Sequence, residues 1–217
     1  MTKAVYTVGR FQPPTLGHVR MIDAMVKIAK GAPALVFISS AKDSLLPSAM
    51  KKDFLTKMLT QGDSPLPPNL TLVDTATCDP PCGGPLGGWG YLKDRGFVGP
   101  EVLLFVGSDQ DEKFDPKSAN MWKTTPTEQR PSILSLERSG PGAAAFSSTK
   151  AREAIASGKS LAPFLKDETN NITDEDVATM TRELLAVQAK WPKKKAGRRT
   201  QRRSIVRKRK RTTRNSV

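Results

Sequence analysis

Five short stretches of the chain are predominantly apolar and carry residues that favour strands. Apolar runs of this length, without an alternating polar face, are typical of strands buried on both sides of a parallel sheet. They span residues 4–8, 34–39, 70–73, 102–106 and 132–136. Helical patterns lie between several of them, so strands and helices alternate along the chain. This alternation predicts βαβ units around one parallel sheet of five strands, an α/β fold.

Three other stretches carry apolar residues at intervals of three and four, which indicates amphipathic helices. The first begins at Gly17 and stops at Gly31, a residue suited to a helix C-terminus. The second begins at Ser48, after a proline. The third is capped by Thr173, has acidic residues in its first turn that complement the helix dipole, and extends to Lys190.

Glycine and proline are frequent in residues 78–99, which predicts a loop. A surface loop is the favoured interpretation, and a lid over a pocket is the alternative. The segment begins with Cys78 and Cys82, the two cysteines of the chain. With one distant histidine they cannot supply the four ligands of a structural zinc ion. Two free thiols are expected, with a disulfide across the intervening prolines as the alternative.

Charge divides the chain into a near-neutral body and a basic tail. Of the 35 lysines and arginines, thirteen lie in residues 193–217, which leaves 22 basic against 21 acidic residues in 1–192. The tail has no aromatic and almost no apolar residues, so it cannot bury enough surface to fold alone. We therefore expect one domain, 1–192, followed by a disordered basic C-terminal tail, 193–217.

The tail predicts contact with nucleic acid through salt-dependent phosphate contacts, without base readout because stacking residues are missing. Residues 207–211 are also typical of a nuclear localisation signal, and a solvated tail that aids solubility is the third interpretation. No apolar run approaches the roughly 18 residues of a membrane span, and no signal-peptide pattern opens the chain. We expect an intracellular protein with no membrane partner, in the nucleus or a virion if the tail directs it there and otherwise in the cytoplasm.

Candidate chemistry gathers at three strand-to-helix junctions, and the first, Gly9 to His18, holds the only histidine of the chain. Helix N-termini present free N–H groups and the positive end of the helix dipole, so they bind anions. Gly9 would let the backbone approach a phosphate, and Gly17 would leave the first helical turn uncovered. Thr15 and His18 are three residues apart and can point into one space. Because a lone histidine is more often a buried polar residue, the other two junctions decide its role.

The second junction ends a predicted strand with small and polar residues, Gly107, Ser108 and Asp109. The third, residues 146–152, would cap a helix whose free N–H groups hold phosphate, with charge-assisted bonds from Lys150 and Arg152. The carboxyl ends of parallel strands meet at one edge of the sheet, the usual ligand side of open α/β folds. The three junctions together therefore predict one phosphate site.

These motifs resemble those of the HxGH/TxGH nucleotidyltransferases, the cytidylyltransferase-like superfamily. Residues 9–13 followed by Thr15-Leu16-Gly17-His18 are similar to the signature loop of the archaeal-type nicotinamide-mononucleotide adenylyltransferase branch and of its phage and large-virus relatives. Residues 146–152 resemble the second motif of the family, ISSTxxR, and residues 107–109 match its GSD element. The segment with Leu46-Pro47, Lys51 and Lys52 resembles a proline-then-lysine segment of viral members.

The resemblance implies a Rossmann-like sheet flanked by helices. It also implies transfer of a nucleoside monophosphate from an NTP to a phosphate-bearing small-molecule acceptor, with release of pyrophosphate. In that reaction His18, assisted by Thr15, would contact the α-phosphate and bridging oxygens, and Mg2+ would enter with the NTP without a protein cage of its own. The β- and γ-phosphates would be held by Ser148, Thr149 and Arg152. Further nucleotide-binding candidates are Gly9, Arg10, Phe11, Gln12, Gly17, Gly107, Ser108, Asp109 and Ser147, and further phosphate-binding candidates are Lys42, Lys51 and Lys150.

Two positions depart from the family pattern. Phe146 stands in place of isoleucine, a tolerable apolar exchange. Gln110 stands where many viral relatives carry arginine, a difference that affects acceptor binding more than triphosphate binding. Adenylyl transfer to a nicotinamide-type nucleotide is favoured modestly over cytidylyl transfer to a phosphorylated alcohol. Two alternatives remain open. One is a transferase-derived structural or virion protein that binds nucleic acid through its tail, and the other is an enzyme that the tail brings to a polynucleotide.

Overall fold

The computed structural model of the chain describes residues 2–41, 44–79, 82–107, 122–136 and 147–191. Its elements, in chain order, are β1 (Ala4–Gly9), α1 (Leu16–Ala29), β2 (Ala34–Ile38), α2 (Ser48–Leu59), β3 (Leu70–Asp74), α3 (Gly84–Lys93), β4 (Val102–Gly107), β5 (Ser132–Leu136), α4 (Ser148–Ala156), α5 (Ala162–Leu165) and α6 (Asp174–Ala186), with short 3-10 turns at Thr127–Gln129 and Gln188–Lys190. Each predicted strand is present, with its ends within one residue of the prediction.

The strands form one five-stranded parallel sheet in the order β3-β2-β1-β4-β5. In its register Val5 of β1 lies opposite Ala34 of β2 on one side and Leu103 of β4 on the other. The chain order reverses between β1 and β4, and in open α/β sheets ligands bind outside the carboxyl ends of strands at such a reversal. The predicted Rossmann-like α/β architecture is confirmed, and the loop after β1 leaves the sheet at the ligand side.

Apolar side chains cover both faces of the sheet, which explains the continuous apolar runs in the strands. One face packs against α3, and its fully or nearly fully buried residues include Tyr6, Phe37, Leu104, Trp89 and Leu92. The opposite face packs against α1 and α2, and its buried residues include Val5, Val36, Phe105, Ile22, Met25 and Leu55. Neighbouring residues of β1 thus alternate between two separate cores.

A third apolar cluster joins the beginning of α1 and the helix α2 to the C-terminal helices. Leu16, in the first turn of α1, and Ala151, in the first turn of α4, both belong to it. The other buried members include Phe54, Met58, Ile155, Leu165, Met180 and Leu184. The cluster therefore holds the N-terminal turns of α1 and α4 in the same part of the molecule.

The prediction of a loop over residues 78–99 is wrong for its central part, which forms the helix α3. Its glycines allow close packing: a Cβ at Gly88 would lie 3.1 Å from the Phe37 ring and 3.3 Å from the Tyr6 ring. A Cβ at Gly87 would lie 2.5 Å from the carbonyl carbon of Cys82. Close approach to the sheet outweighs the low helix propensity of glycine, because it buries Trp89.

The expectation of two free thiols is also wrong, because Cys78 and Cys82 form a disulfide. The turn between β3 and α3 places their Cα atoms 5.6 Å apart, within the usual range for a disulfide. Cys82 is fully buried against the α3 face of the sheet. The bond therefore ties the end of the β3 loop to the beginning of α3.

The last described helix, α6, begins as predicted and ends early. Thr173 caps it: the Thr173 hydroxyl accepts from the Asp176 amide at 3.1 Å, and the Asp176 carboxylate accepts from the Thr173 amide at 3.0 Å. The helix ends at Ala186 and not at Lys190, because the chain tightens into a 3-10 turn. None of the helices in the described ranges is long and apolar enough to cross a membrane.

Several sequence predictions fall outside the described residues. These are the predictions for Lys42, Ser108, Asp109, Gln110, Phe146 and the basic tail, 193–217.

Candidate functional site

The loop between β1 and α1 wraps the ring of Phe11 over Gly9. Phe11 has a φ of 47°, in the left-handed region that residues other than glycine rarely adopt, and it is only 2% exposed. A Cβ at Gly9 would lie 2.7 Å from two carbons of the Phe11 ring. The Phe11 ring therefore fills the space that a side chain at position 9 would need.

His18 stands in the first turn of α1 and is held by Thr15. The backbone N–H of Thr15 donates to His18 Nδ1 at 3.0 Å, and Thr15 Oγ1 also lies 3.0 Å from this nitrogen. The Phe11 ring packs edge-on against the imidazole, with ring centroids 4.9 Å apart. A backbone N–H can only donate, so Nδ1 is an acceptor and the neutral ring carries its proton on Nε2. His18 is half-buried, Thr15 is fully buried, and Nε2 is the nitrogen that can donate to a ligand.

The beginning of α4 is bonded directly to the loop after β1. Ser147 caps α4 by accepting from the Lys150 amide at 3.2 Å. The Ser148 hydroxyl donates to the carbonyl of Pro13 at 2.8 Å, and Arg152 Nη1 donates to the carbonyl of Gln12. The two predicted phosphate segments are 135 to 140 residues apart in sequence, yet they meet in the structure. The N-termini of two helices, each a favourable place for an anion, therefore lie on one loop.

The positive charge of Arg10 acts on the guanidinium of Arg152. Burial, and then repulsion from Arg10, lower the pKa of Arg152, while the neighbouring Glu153 raises it. Like charges that the fold brings together favour an anion between or beside them. Arginine presents five N–H donors in a planar fork, so Arg152 retains donors beyond the one that holds Gln12.

Other predicted residues differ in exposure. Thr149 and Lys150 are exposed at the N-terminal turn of α4, and Thr149 Oγ1 lies 3.4 Å from Arg152 Nη2. Lys51 is fully buried, and its ammonium donates to the carbonyl of Ser39 at 2.5 Å and to the hydroxyl of Ser44 at 2.7 Å. Lys51 thus differs from the accessible Lys150.

Sequence reasoning missed Ser44, whose hydroxyl accepts from Lys51 and from Gln12 Nε2, the latter at 2.8 Å. A signal was present for the burial of Lys51, since it shares helical spacing with Leu55 and Met58, both buried on α2. No sequence pattern marks Ser44, because its position depends on the path of the loop between β2 and α2.

Comparison with known proteins identifies solved structures that share this fold. No protein-family model matches the chain, and no curated protein does. A solved structure of nicotinic acid mononucleotide adenylyltransferase from Plasmodium falciparum complexed with NaAD is similar, with a TM-score of 0.52 and 13% sequence identity. The same enzyme complexed with APC gives a TM-score of 0.56 and 12% identity. In both comparisons the similarity covers 88% of this chain and 98% of the other. The chain therefore shares the fold of this adenylyltransferase.

Proposed function

We propose that the protein is a nucleotidyltransferase that moves an adenylyl or cytidylyl group from an NTP to a phosphate-bearing small molecule and releases pyrophosphate. One observation carries the proposal: His18, whose Nδ1 accepts from the Thr15 amide, and Arg152 and Ser148 of α4 are all hydrogen-bonded to the loop after β1. The loop lies at the ligand side of the sheet, where the strand order reverses. The adenylyltransferase fold supports the same reaction class.

In the proposed reaction an oxygen of the acceptor phosphate attacks the α-phosphorus of the NTP. The bond to the β-phosphate oxygen breaks, and the electron pair leaves with pyrophosphate. The acceptor is itself the nucleophile, so the protein needs only to position the reactants and to stabilise negative charge. The Nε2–H of His18 is suited to donate to an α-phosphate or bridging oxygen, where that charge develops.

The β- and γ-phosphates are assigned to α4 and to Arg10. The N–H groups of the first turn of α4 have no partner within the helix, and the dipole favours an anion there. Ser148, Thr149 and Arg152 would add hydroxyl and guanidinium donors, with Lys150 exposed nearby. The repulsion between Arg10 and Arg152 would be relieved by the bound polyphosphate.

Mg2+ is proposed to enter with the triphosphate. The described side chains assigned to the phosphates are hydroxyls and cations, and no group of three or more His, Cys, Asp or Glu in the described ranges could hold a metal ion. Such a donor set fits a Mg2+ ion held by phosphate oxygens and water. When bound, the ion supplies neutralisation of triphosphate charge.

The two solved structures are of one nicotinic acid mononucleotide adenylyltransferase, which supports adenylyl transfer to a nicotinamide-type nucleotide over cytidylyl transfer. A screen of NTP and acceptor pairs for pyrophosphate release, with the full chain and Mg2+, tests the proposal. His18→Ala should lower turnover by about 10²–10³-fold, the usual effect of removing one donor to a developing oxyanion. Its thermal unfolding should stay close to that of the wild type. Equal turnover by wild type and variant contradicts the mechanism.

For the basic tail, residues 193–217, we propose contact with nucleic acid or nuclear targeting, on the strength of thirteen positive charges without an acidic residue. Affinity for a random duplex should fall steeply with salt and should be lost on truncation after Trp191. If the wild type binds neither ATP nor CTP but binds the duplex, a structural nucleic-acid-binding role replaces the enzymatic one. Loss of activity on polynucleotides alone after truncation would indicate an enzyme that the tail directs to nucleic acid.

A further inference from the structure

Lys51 is a lysine with no exposed surface, located in the first turn of α2. Burial of an ammonium group costs free energy unless the group is fully hydrogen-bonded. Here the Nζ atom donates to the carbonyl of Ser39, just after β2, and to the hydroxyl of Ser44. The charge therefore acts on two protein oxygens at the ligand side of the sheet.

The bond from Lys51 determines what the Ser44 hydroxyl can do. A serine hydroxyl has one proton to donate and two lone pairs to accept with, whereas an ammonium can only donate. Ser44 Oγ donates to the carbonyl of Leu46 at 2.9 Å and accepts from Lys51 at 2.7 Å. Its second lone pair accepts from Gln12 Nε2 at 2.8 Å. All capacities of the hydroxyl are used, so the Gln12 amide is held in one orientation.

Gln12 connects this network to α4. The residue is 7% exposed, and its backbone carbonyl accepts from the guanidinium of Arg152. The side chain of Gln12 is thus fixed by Ser44 while its main chain fixes Arg152. A chain of hydrogen bonds runs from the buried lysine through two residues to a proposed phosphate ligand.

We propose that Lys51 is a positioning residue for the polyphosphate site. Through Ser44 and Gln12 it fixes the carbonyl that holds Arg152, and so it sets the place of the guanidinium that receives the phosphates. This inference rests on the proposed function for its ligand.

Full-length Lys51→Met and Ser44→Ala test the network, with Lys57→Met as the matched control. Lys57 lies on the same helix and forms an ion pair with Asp176 at 2.7 Å, which ties α2 to α6 away from the loop after β1. Two quantities are measured: the affinity for inorganic tripolyphosphate, by titration, and the hydrogen exchange of the backbone amides in residues 10–15. The basic tail is identical in all variants, so tail binding cancels in the comparison.

Lys51→Met and Ser44→Ala should each weaken tripolyphosphate binding, by up to about 10²-fold, the loss expected when the charge-assisted contact of Arg152 with phosphate is weakened. The double variant should be no weaker than the weaker single variant, because both changes break one network. Both changes should also speed amide exchange in residues 10–15. Lys57→Met should lower the unfolding temperature while leaving affinity and loop exchange unchanged, which separates positioning from a general structural role.

Wild-type affinity and loop exchange in folded Lys51→Met, or additive effects in the double variant, overturn the proposal. If Lys51→Met does not fold, Ser44→Ala decides, since it keeps the bond from Lys51 to Ser39. If tripolyphosphate leaves amide exchange in residues 10–15 of the wild type unchanged, it binds only to the basic tail, and the proposed function fails. Amide exchange then tests only the hydrogen-bond network of Lys51, Ser44 and Gln12. Faster exchange in both Lys51→Met and Ser44→Ala supports the network, and unchanged exchange refutes it.

Discussion

Replacing Arg152 by methionine removes the guanidinium but retains much of its aliphatic stem. In the free protein the change has opposing effects. The lost bond to the Gln12 carbonyl is one that involves a charged group and contributes about 1.5–3 kcal/mol. The change also relieves the burial of the charge and its repulsion by Arg10, the two causes that lower the pKa of Arg152. We expect these effects to offset each other, so the unfolding temperature of the variant should stay near that of the wild type.

With ATP bound, the effects no longer offset each other, because the variant lacks the contact of the guanidinium with phosphate. ATP at about 100 times its dissociation constant stabilises a folded protein by about 2.7 kcal/mol, which raises Tm by about 5–11 °C for a domain of this size. Loss of a charge-assisted phosphate contact of about 1.5–3 kcal/mol weakens binding about 12- to 150-fold. The same ATP concentration then stabilises Arg152→Met by only about 0.3–1.3 kcal/mol, or about 1–5 °C.

Thermal unfolding of the full chain in the presence of ATP and Mg2+ measures this difference. ATP that binds equally to the basic tail of the folded and unfolded chain does not shift Tm, so the shift reports the folded site. Arg182→Met is the control, because that side chain is 70% exposed on α6 and lies 3.9 Å from Glu183. It should keep the wild-type shift. An equal ATP-induced shift in wild type and Arg152→Met would refute the role of Arg152.

Two further predictions concern stability. Gly87→Ala should lower Tm, with a cost of about 1–3 kcal/mol, because its Cβ would meet the backbone of Cys82 at 2.5 Å. The control Gly90→Ala should be neutral or stabilising by about 0.5–1 kcal/mol, because a Cβ there has nothing within 4 Å. Burial raises the pKa of Asp176, but hydrogen bonds from Lys57 and within the helix cap outweigh it and lower the pKa overall. The Asp176 carboxylate therefore contributes stability above its unfolded pKa of about 3.9, and this contribution is lost as the pH falls through the lower folded value. The difference in Tm between wild type and Asp176→Asn should shrink on acidification from neutrality, and a constant difference would contradict this assignment.

The central strands β1, β2 and β4 were predictable from the sequence because they are largely buried on both faces and therefore continuously apolar. The edge strands β3 and β5 were predictable from shorter apolar runs, although Thr71 and Ser135 are exposed. The helix α3 was not predictable, because its glycines carry no signal of what they pack against. Gly87 and Gly88 favour a loop by local propensity, and only the nearness of Cys82, Phe37 and Tyr6 explains why a helix forms there. Tertiary packing thus decides the structure where local preference is weak.

For the candidate site, the sequence marked the two segments that meet, the loop after β1 and the start of α4. It did not show why individual positions carry the residues they do. Position 9 is occupied by glycine because a Cβ there would collide with the Phe11 ring. Lys51 lies on the apolar face of α2, and the spacing of that face was visible in the sequence. The network through Ser44 depends on a loop conformation that no local pattern encodes.

The bonds from Arg152 to Gln12 and from Ser148 to Pro13 span 140 and 135 residues of chain. At a synthesis rate of about 5–20 residues per second, the loop after β1 leaves the ribosome about 7–28 s before its partners in α4 are made. During that interval the nascent chain can pair β1 with β2 and β2 with β3, since those contacts are closer in sequence. The proposed polyphosphate site can therefore form only after α4 has been made, and a nascent chain stalled before residue 148 should form part of the sheet without acquiring that site.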